Sequence, residues 1–288
     1  MSRLLYYLFL KPLSLLPLGV LYVFSDILFF LLYYVVPYRK KVVLTNLKNS
    51  FPEKSSQEIK KIMKGFYHFL TDLMLETVWN MSLTEKEARR RLYVENPEVL
   101  DPYYEKGKDV IIVVGHYNSW EFLLSAFNMN VKHRGAVIYT KLTNKFLDKV
   151  FKEFREKFGT RLVTKVDVKH AFQDGLGEPM AMVFGSDQAP ASSGRAYWTT
   201  FLNQETAVAI GVEKYAIKYD LPVFFGALHC VKRGYYMLKL ELLIDKPLDT
   251  QPGEITESHV KALERLIIQE PKYWLWSHKR WKRVKGAW

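Results

Sequence analysis

Residues 108–127, KDVIIVVGHYNSWEFLLSAF, constrain the fold more than any other stretch of the chain. Residues 110–114 form a continuous apolar run of the kind a fully buried strand shows. Gly115 breaks the run and His116 follows directly. Asn118 or Ser119 can then cap a helix, with Glu121 in its first turn and Phe122, Leu123, Leu124 and Phe127 available for packing. The pattern sets a histidine at the C-terminal end of a buried strand and a carboxylate at the start of the next helix. In open α/β sheets that edge is where ligands bind.

The spacing His-x4-Glu has a chemical reading. A neutral imidazole titrates near neutrality and can take a proton from an attacking hydroxyl. A carboxylate beside it fixes the tautomer and steadies the imidazolium as it forms. An acceptor that brings its own hydroxyl needs no serine or cysteine nucleophile. Ser119 lacks the Gly-x-Ser-x-Gly setting of a nucleophile elbow. Zinc is not indicated, because His-Glu-x-x-His and a cysteine cluster are both missing. The ordinary alternative is a capped helix after a strand, with an unexceptional histidine, and spacing alone leaves both open.

Downstream of residue 109 the pattern alternates. Strands read near residues 136–140 and 161–164, over PMAMVF and LPVFFGALHC, and over YYMLKLELL after a Lys-Arg-Gly turn. Helices read over residues 144–158, 169–174, 206–219 and 257–269. This argues an α/β fold, a mixed sheet flanked by helices. Upstream, Ser55 with Glu58 and Thr84 with Glu87 read as capping boxes. The first opens a long helix with apolar residues three and four apart, the second a short basic one.

Residues 4–36 are strongly apolar, with Lys11 and Asp26 the only charges. Residues 15–36 are long enough to span a bilayer, and Arg39, Lys40 and Lys41 follow as a cytoplasmic-side flank. The readings are a membrane-anchoring helix, an interfacial helix pair, or a buried hairpin. The expected division is residues 1–41 as a membrane-anchoring segment and 42–288 as the α/β domain. A net charge of +12 points to acidic partners such as anionic lipid, phosphorylated substrate, nucleic acid or an acidic protein. The C-terminal tail sets Trp274, Trp276, Trp281 and Trp288 among basic residues, with no acid after Glu270. That composition suits an anionic membrane surface. No nucleic-acid recognition motif accompanies it, so nucleic acid is not expected.

Two further places carry chemistry. On and before the helix over residues 144–158 lie Lys141, Asn144, Asp148 and Arg155. Asn144, Asp148 and Arg155 share a face, and arginine suits a phosphate or a developing oxyanion. The ordinary alternative is a solvent-facing charged stripe. GSDQAP repeats the geometry of the first site, so Asp187 and Gln188 stand at a strand end on the same edge as His116. Asp187 could orient Arg155 or position an acceptor, or it could be a turn aspartate.

Together these features resemble the lipid A biosynthesis (late) acyltransferases of the lysophospholipid acyltransferase superfamily. The likeness covers nearly the whole chain: the apolar N-terminus, HYNSWE as the His-x4-Asp/Glu motif, the series Lys141, Asn144, Asp148, Arg155 and Phe158-Gly159, then SDQAP and PKYWLWSHKRWK. The resemblance implies a glycerol-3-phosphate acyltransferase-like α/β fold at the cytoplasmic face of a bacterial inner membrane. It implies transfer of a fatty acyl group from acyl carrier protein, or acyl-CoA, to a hydroxyl of a phosphate-bearing lipid A precursor, with no cofactor and no metal. On this likeness His116 is the general base and Glu121 its partner, while Arg155, Asp187, Asn144 and Lys141 bind substrate or stabilise the oxyanion. The sequence departs from the family at Asn118, where many relatives carry a small residue such as glycine, and in the loop over residues 189–198. Both bear on the acceptor, for which a lysophospholipid or an aminolipid is the alternative. A reading of another class is a non-catalytic membrane or nucleic-acid binding protein.

Overall fold

The computed structural model of the chain describes residues 2–191 and 196–286. Trp288 and the centre of the loop over residues 189–198 lie outside the described residues. After an N-terminal helical stretch come helices α1 (Leu18–Phe30), α2 (Lys40–Ser50), α3 (Ser56–Asn80) and α4 (Glu85–Arg91). The rest alternates: β1 (Leu92–Val94), β2 (Val110–Val114), α5 (Trp120–Ala126), β3 (Arg134–Tyr139), α6 (Lys145–Glu156), β4 (Arg161–Thr164), α7 (Val168–Asp174) and β5 (Met180–Gly185). A hairpin, β6 (Ala196–Phe201) and β7 (Gln204–Ala209), precedes α8 (Gly211–Tyr219), β8 (Val223–Lys232), β9 (Tyr235–Ile244) and α9 (Glu254–Gln269).

The main sheet has seven strands in the order β1-β9-β8-β2-β5-β3-β4. Every neighbouring pair is parallel except β8 with β9. All five residues of β2 are buried, as a central parallel strand covered on both faces requires. Alternation along the strand decides which layer each residue joins. Val110, Ile112 and Val114 pack with Trp79, Phe122 and Leu123 on one face. Ile111 and Val113 pack with Val212, Ala216 and Ile255 on the other. This is the mixed sheet flanked by helices that the sequence implies.

The capping box at Ser55 forms in full, and at Thr84 only the side-chain half of it does. Ser55 Oγ accepts from Glu58 N while Glu58 accepts from Ser55 N, and Thr84 Oγ1 accepts from Glu87 N. The helix expected over residues 206–219 is corrected: only α8 forms, and residues 204–209 are a strand paired antiparallel with β6. Leu202 and Asn203 turn that hairpin with φ of 50° and 62°. Two left-handed residues match the twist of a tight hairpin. Leu-Asn carries little of the signal that Asn-Gly would.

The N-terminal segment does not stand apart from the domain. Leu18 and Leu21 are buried in the same core as Trp79, Leu83 and Phe224. Tyr22 Oη donates to Glu76 Oε1 at 2.7 Å, and Ser25 Oγ to Asp72 Oδ1 at 2.6 Å. Asp26 is paired with Arg233 from the β8–β9 turn, and Arg233 Nε also donates to Asp72 Oδ2 at 2.8 Å. The same guanidinium bonds both carboxylates of the trio Asp26, His68 and Asp72, the one grouping with metal-ligand spacing among the described residues. The other side of the helix, continued by a π turn to Val35, is an open apolar stripe of Val23, Phe24, Ile27, Phe30 and Leu31. Stripes this continuous mark an interaction surface.

Leu21→Ala should lower the stability of the detergent-solubilised protein by ~2–5 kcal/mol, the usual cost of emptying a buried leucine site. Thermal unfolding reads it. A segment that merely tethers the domain would leave the melting temperature unchanged.

Candidate active site

The site forms where β2 and β5 end side by side, with Val114 in register with Gly185. Gly115 lets α9 pack close against the exit of β2: a Cβ there would sit 2.6 Å from Leu263 Cδ1. His116 and Asn118 then pair with the C-terminal tail, since Leu275 N donates to His116 O at 3.2 Å and Asn118 N to Tyr273 O at 3.0 Å. Asn118 takes the left-handed conformation, φ 54°, and its amide donates to Leu228 O at 2.7 Å. Asparagine tolerates this conformation better than most residues. Ser119 begins α5, but its side chain does not cap the helix and is fully buried.

Two residues past β5, Asp187 points at His116. Its Oδ1 lies 2.6 Å from His116 Nδ1, and its Oδ2 accepts from His116 N at 2.9 Å and from Trp274 Nε1 at 2.8 Å. Asp187 is 5% exposed. Burial pushes its carboxyl pKa up, but the His116 charge and these donors overcome that and hold it at about 2. An ionised carboxylate only accepts, so Nδ1 carries the imidazole proton and Nε2 the lone pair. The Gln188 side-chain amide lies 3.1 Å from Nε2, and the Trp120 ring stands edge-on to the imidazole at 5.2 Å. Burial pulls the His116 pKa down. Asp187, its hydrogen bond and the Glu121 charge outweigh this and leave it above 6.5.

The carboxylate hydrogen-bonded to the His116 ring is thus Asp187, while Glu121 acts on it only through its charge. Glu121 instead accepts both arms of Arg155, with Nε to Oε2 at 2.8 Å and Nη2 to Oε1 at 2.6 Å. Phe151 underlies the guanidinium at 5.0 Å. Nε and Nη2 are committed to Glu121, and Nη1 makes no hydrogen bond among the described residues. Asn144 is the cap of α6, accepting from Phe146 N and Leu147 N. Lys141 is exposed on the loop before it. Neither hydrogen-bonds to His116, Glu121, Arg155 or Asp187 among the described residues.

The tail plays a part that composition did not reveal. Trp274 and Trp276 are buried at 2% and 0% exposure, so they are core residues rather than membrane-facing ones. A hydrogen bond to Asp187 leaves no trace in local sequence, and an aromatic-basic run reads as surface. Beside the site, Leu70, Leu73, Met74, Thr77, Trp120 and Leu275 line an apolar groove of about 320 Å³ that also includes Glu121 in its wall.

The His116 imidazole, followed by NMR, should titrate above 6.5, and Asp187→Asn should bring the midpoint down. The raised histidine pKa makes the pair stabilise the fold fully below the unfolded value and lose that contribution as pH rises through the folded one. Asp187, with its lowered pKa, contributes above its unfolded value and loses the contribution as pH falls towards about 2.

Residues 2–283 match the family described as bacterial lipid A biosynthesis acyltransferase. The lipid A biosynthesis lauroyltransferase of Escherichia coli (strain K12) is 23% identical over 254 residues, covering 86% of this chain and 81% of that protein. The family match over residues 2–283 spans the strand ends that carry His116 and Asp187, the helices that carry Glu121 and Arg155, and the tail that holds Trp274. The chain belongs to the bacterial lipid A biosynthesis acyltransferase family and is an acyltransferase.

Proposed function

We propose that the protein transfers a fatty acyl group from an acyl thioester to a hydroxyl of a lipid A precursor at the cytoplasmic face of the inner membrane. The observation that carries this reading is an imidazole whose Nδ1 is committed to a buried carboxylate and whose Nε2 faces Gln188. Trp120 touches the same ring and lines the apolar groove. The acceptor hydroxyl loses its proton to His116 Nε2 as its oxygen bonds to the thioester carbonyl carbon. The tetrahedral oxyanion collapses, the C–S bond breaks, and His116 returns the proton to the leaving thiolate. This balances without a cofactor or a metal. Asp187 holds the tautomer and steadies the imidazolium.

Glu121 has a different task from the one its spacing suggests. It fixes Arg155, whose free Nη1 suits the developing oxyanion or an acceptor phosphate. The apolar groove, of a volume typical of ligand pockets, suits the acyl chain. The donor proposed is acyl carrier protein, which is acidic. Lys141, Lys145, Lys149 and Lys152 are exposed beside and along the helix that carries Arg155. Such a surface steers an acidic partner. The exposed apolar stripe of α1, followed by Arg39, Lys40 and Lys41, fits a bilayer with anionic headgroups.

Acyl transfer from a thioester donor to a lipid A precursor tests the assignment. His116→Ala should cost ~10²–10⁴-fold in kcat, the usual yield of general-base catalysis. Asp187→Asn should lose comparably, and the double variant should be little worse than the worse single one. Glu121→Gln should be coupled to Arg155→Ala rather than to Asp187→Asn. A near-normal Asp187→Asn with Glu121 strongly coupled to His116 would make Glu121 the orienting carboxylate. A folded, fully active His116→Ala would remove the base.

Donor choice has its own test. The kcat/KM with acyl carrier protein should fall as salt rises, more steeply than with acyl-CoA. Salt-independent use of both donors equally would rule out electrostatic docking of the carrier.

A further inference from the structure

A small cavity, about 10 Å³, touches Asp187 but not His116. Ser186, Phe225, His259, Leu263 and Arg280 complete much of its wall. Arg280 belongs to the C-terminal tail and is 2% exposed. A buried guanidinium is costly unless a compensating charge stands near it. The carboxylate that acts on it is Asp187. Among the described residues, Arg280 Nε has no hydrogen-bond partner, and neither has Nε2 of His259 on the same cavity wall. His259 adds no second positive charge to the cavity, because burial pulls its pKa to about 4 and leaves it neutral. The cavity has room for about one water, and the polar atoms around it suit one.

The charge balance of the pair makes the arginine meaningful. A base must be neutral before it accepts a proton. In that state Asp187 is a buried carboxylate facing an uncharged ring, and burial favours its protonation. A protonated Asp187 would no longer fix Nδ1–H on the imidazole. A second positive charge near Asp187, independent of the histidine, opposes this. The same positive charge opposes imidazolium formation and keeps His116 from becoming too strong a base. Among the described residues, the charged and titratable groups around the pair are Glu121 and Lys165 acting on His116, His278 and Arg280 acting beside Asp187, His259 on the cavity wall, and Lys282 next to His278.

We propose that Arg280 is a positioning residue: from across the cavity it holds Asp187 as a carboxylate while His116 is neutral, and so keeps Nε2 free for the acceptor's proton. The inference rests on the assignment of His116 as the base. It does not require Arg280 to touch substrate.

The experiment is the pH dependence of the full-length enzyme, read both as kcat/KM and as the NMR titration of His116. In Arg280→Met the His116 midpoint and the acid limb of kcat/KM should move together to higher pH by roughly 1 pH unit. Activity should return as the pH is raised past the new limb, and Arg280→Lys, which keeps the charge, should leave the limb close to its wild-type position. A folded Arg280→Met with midpoint and limb unmoved, or with a loss equal at every pH, overturns the proposal. If Arg280→Met does not fold, the wild-type protein answers instead. The Arg280 guanidinium Nε signal, assigned by its disappearance in Arg280→Lys, should shift as His116 titrates; a signal indifferent to that titration overturns the proposal. Full activity of His116→Ala would remove the base assignment itself, and the NMR titration separates that outcome from a failure of the Arg280 inference.

Discussion

A buried carboxylate must be satisfied on every side, and the site is built around that requirement at Asp187. Three parts of the chain meet it. The end of β2 supplies the backbone N–H and the imidazole of His116, the tail supplies the indole of Trp274, and β5 delivers the carboxylate itself. Remove any one and a charge or a donor is left without a partner in a low-dielectric interior, where that costs most. The same constraint orders the tail, because Trp274 reaches Asp187 only if residues 273–275 run back beside His116 and Asn118. A segment rich in lysine and tryptophan is thereby drawn into the core.

Two carboxylates lie near the imidazole, and their partners separate their roles. Asp187 meets a titrating ring and a buried tail. Glu121 meets a guanidinium that does not titrate, in a fork of two hydrogen bonds. Each pairing also excludes the other: an Arg155 committed to Glu121 cannot neutralise Asp187, and a ring turned to Asp187 presents Nε2 outward. The apolar groove has Glu121 and Trp120 in its wall, so on the proposed reading an acyl chain lying there would run beside both pairs.

The apolar N-terminus follows a similar logic of divided faces. Leu18, Leu21 and Ser25 are buried against the domain, while Phe24, Ile27 and Phe30 are not. Tyr22 shares Glu76 with Tyr236, so the helix reaches the sheet through one buried carboxylate. Burial pushes the Glu76 pKa up against these donors. Asp26, a charge that a spanning helix would carry at a cost, is matched by Arg233. On the proposed reading the membrane meets the outer face of this helix while the inner face remains part of the enzyme's core.

The sequence by itself determined the features that are local. The run VIIVV, the break at Gly115, the caps at Ser55 and Thr84, and the histidine at a strand end all depend on neighbours within a few residues, and folding kept them. The alternation after residue 109 determined the class of fold, because continuous apolar strands separated by helical patterns leave few ways to bury both sheet faces. Which carboxylate turns to His116 was decided only by tertiary structure. Glu121 is five residues away in sequence, but the start of α5 directs it towards α6; Asp187 is far away in sequence, but the parallel register of β2 with β5 brings it to hydrogen-bonding distance. The β6–β7 hairpin was hidden for a related reason, since a Leu-Asn turn gains its left-handed geometry from the pairing around it. The burial of Trp274 and Arg280 was also set by contacts across the whole chain, where composition records which residues are present but not which of them meet.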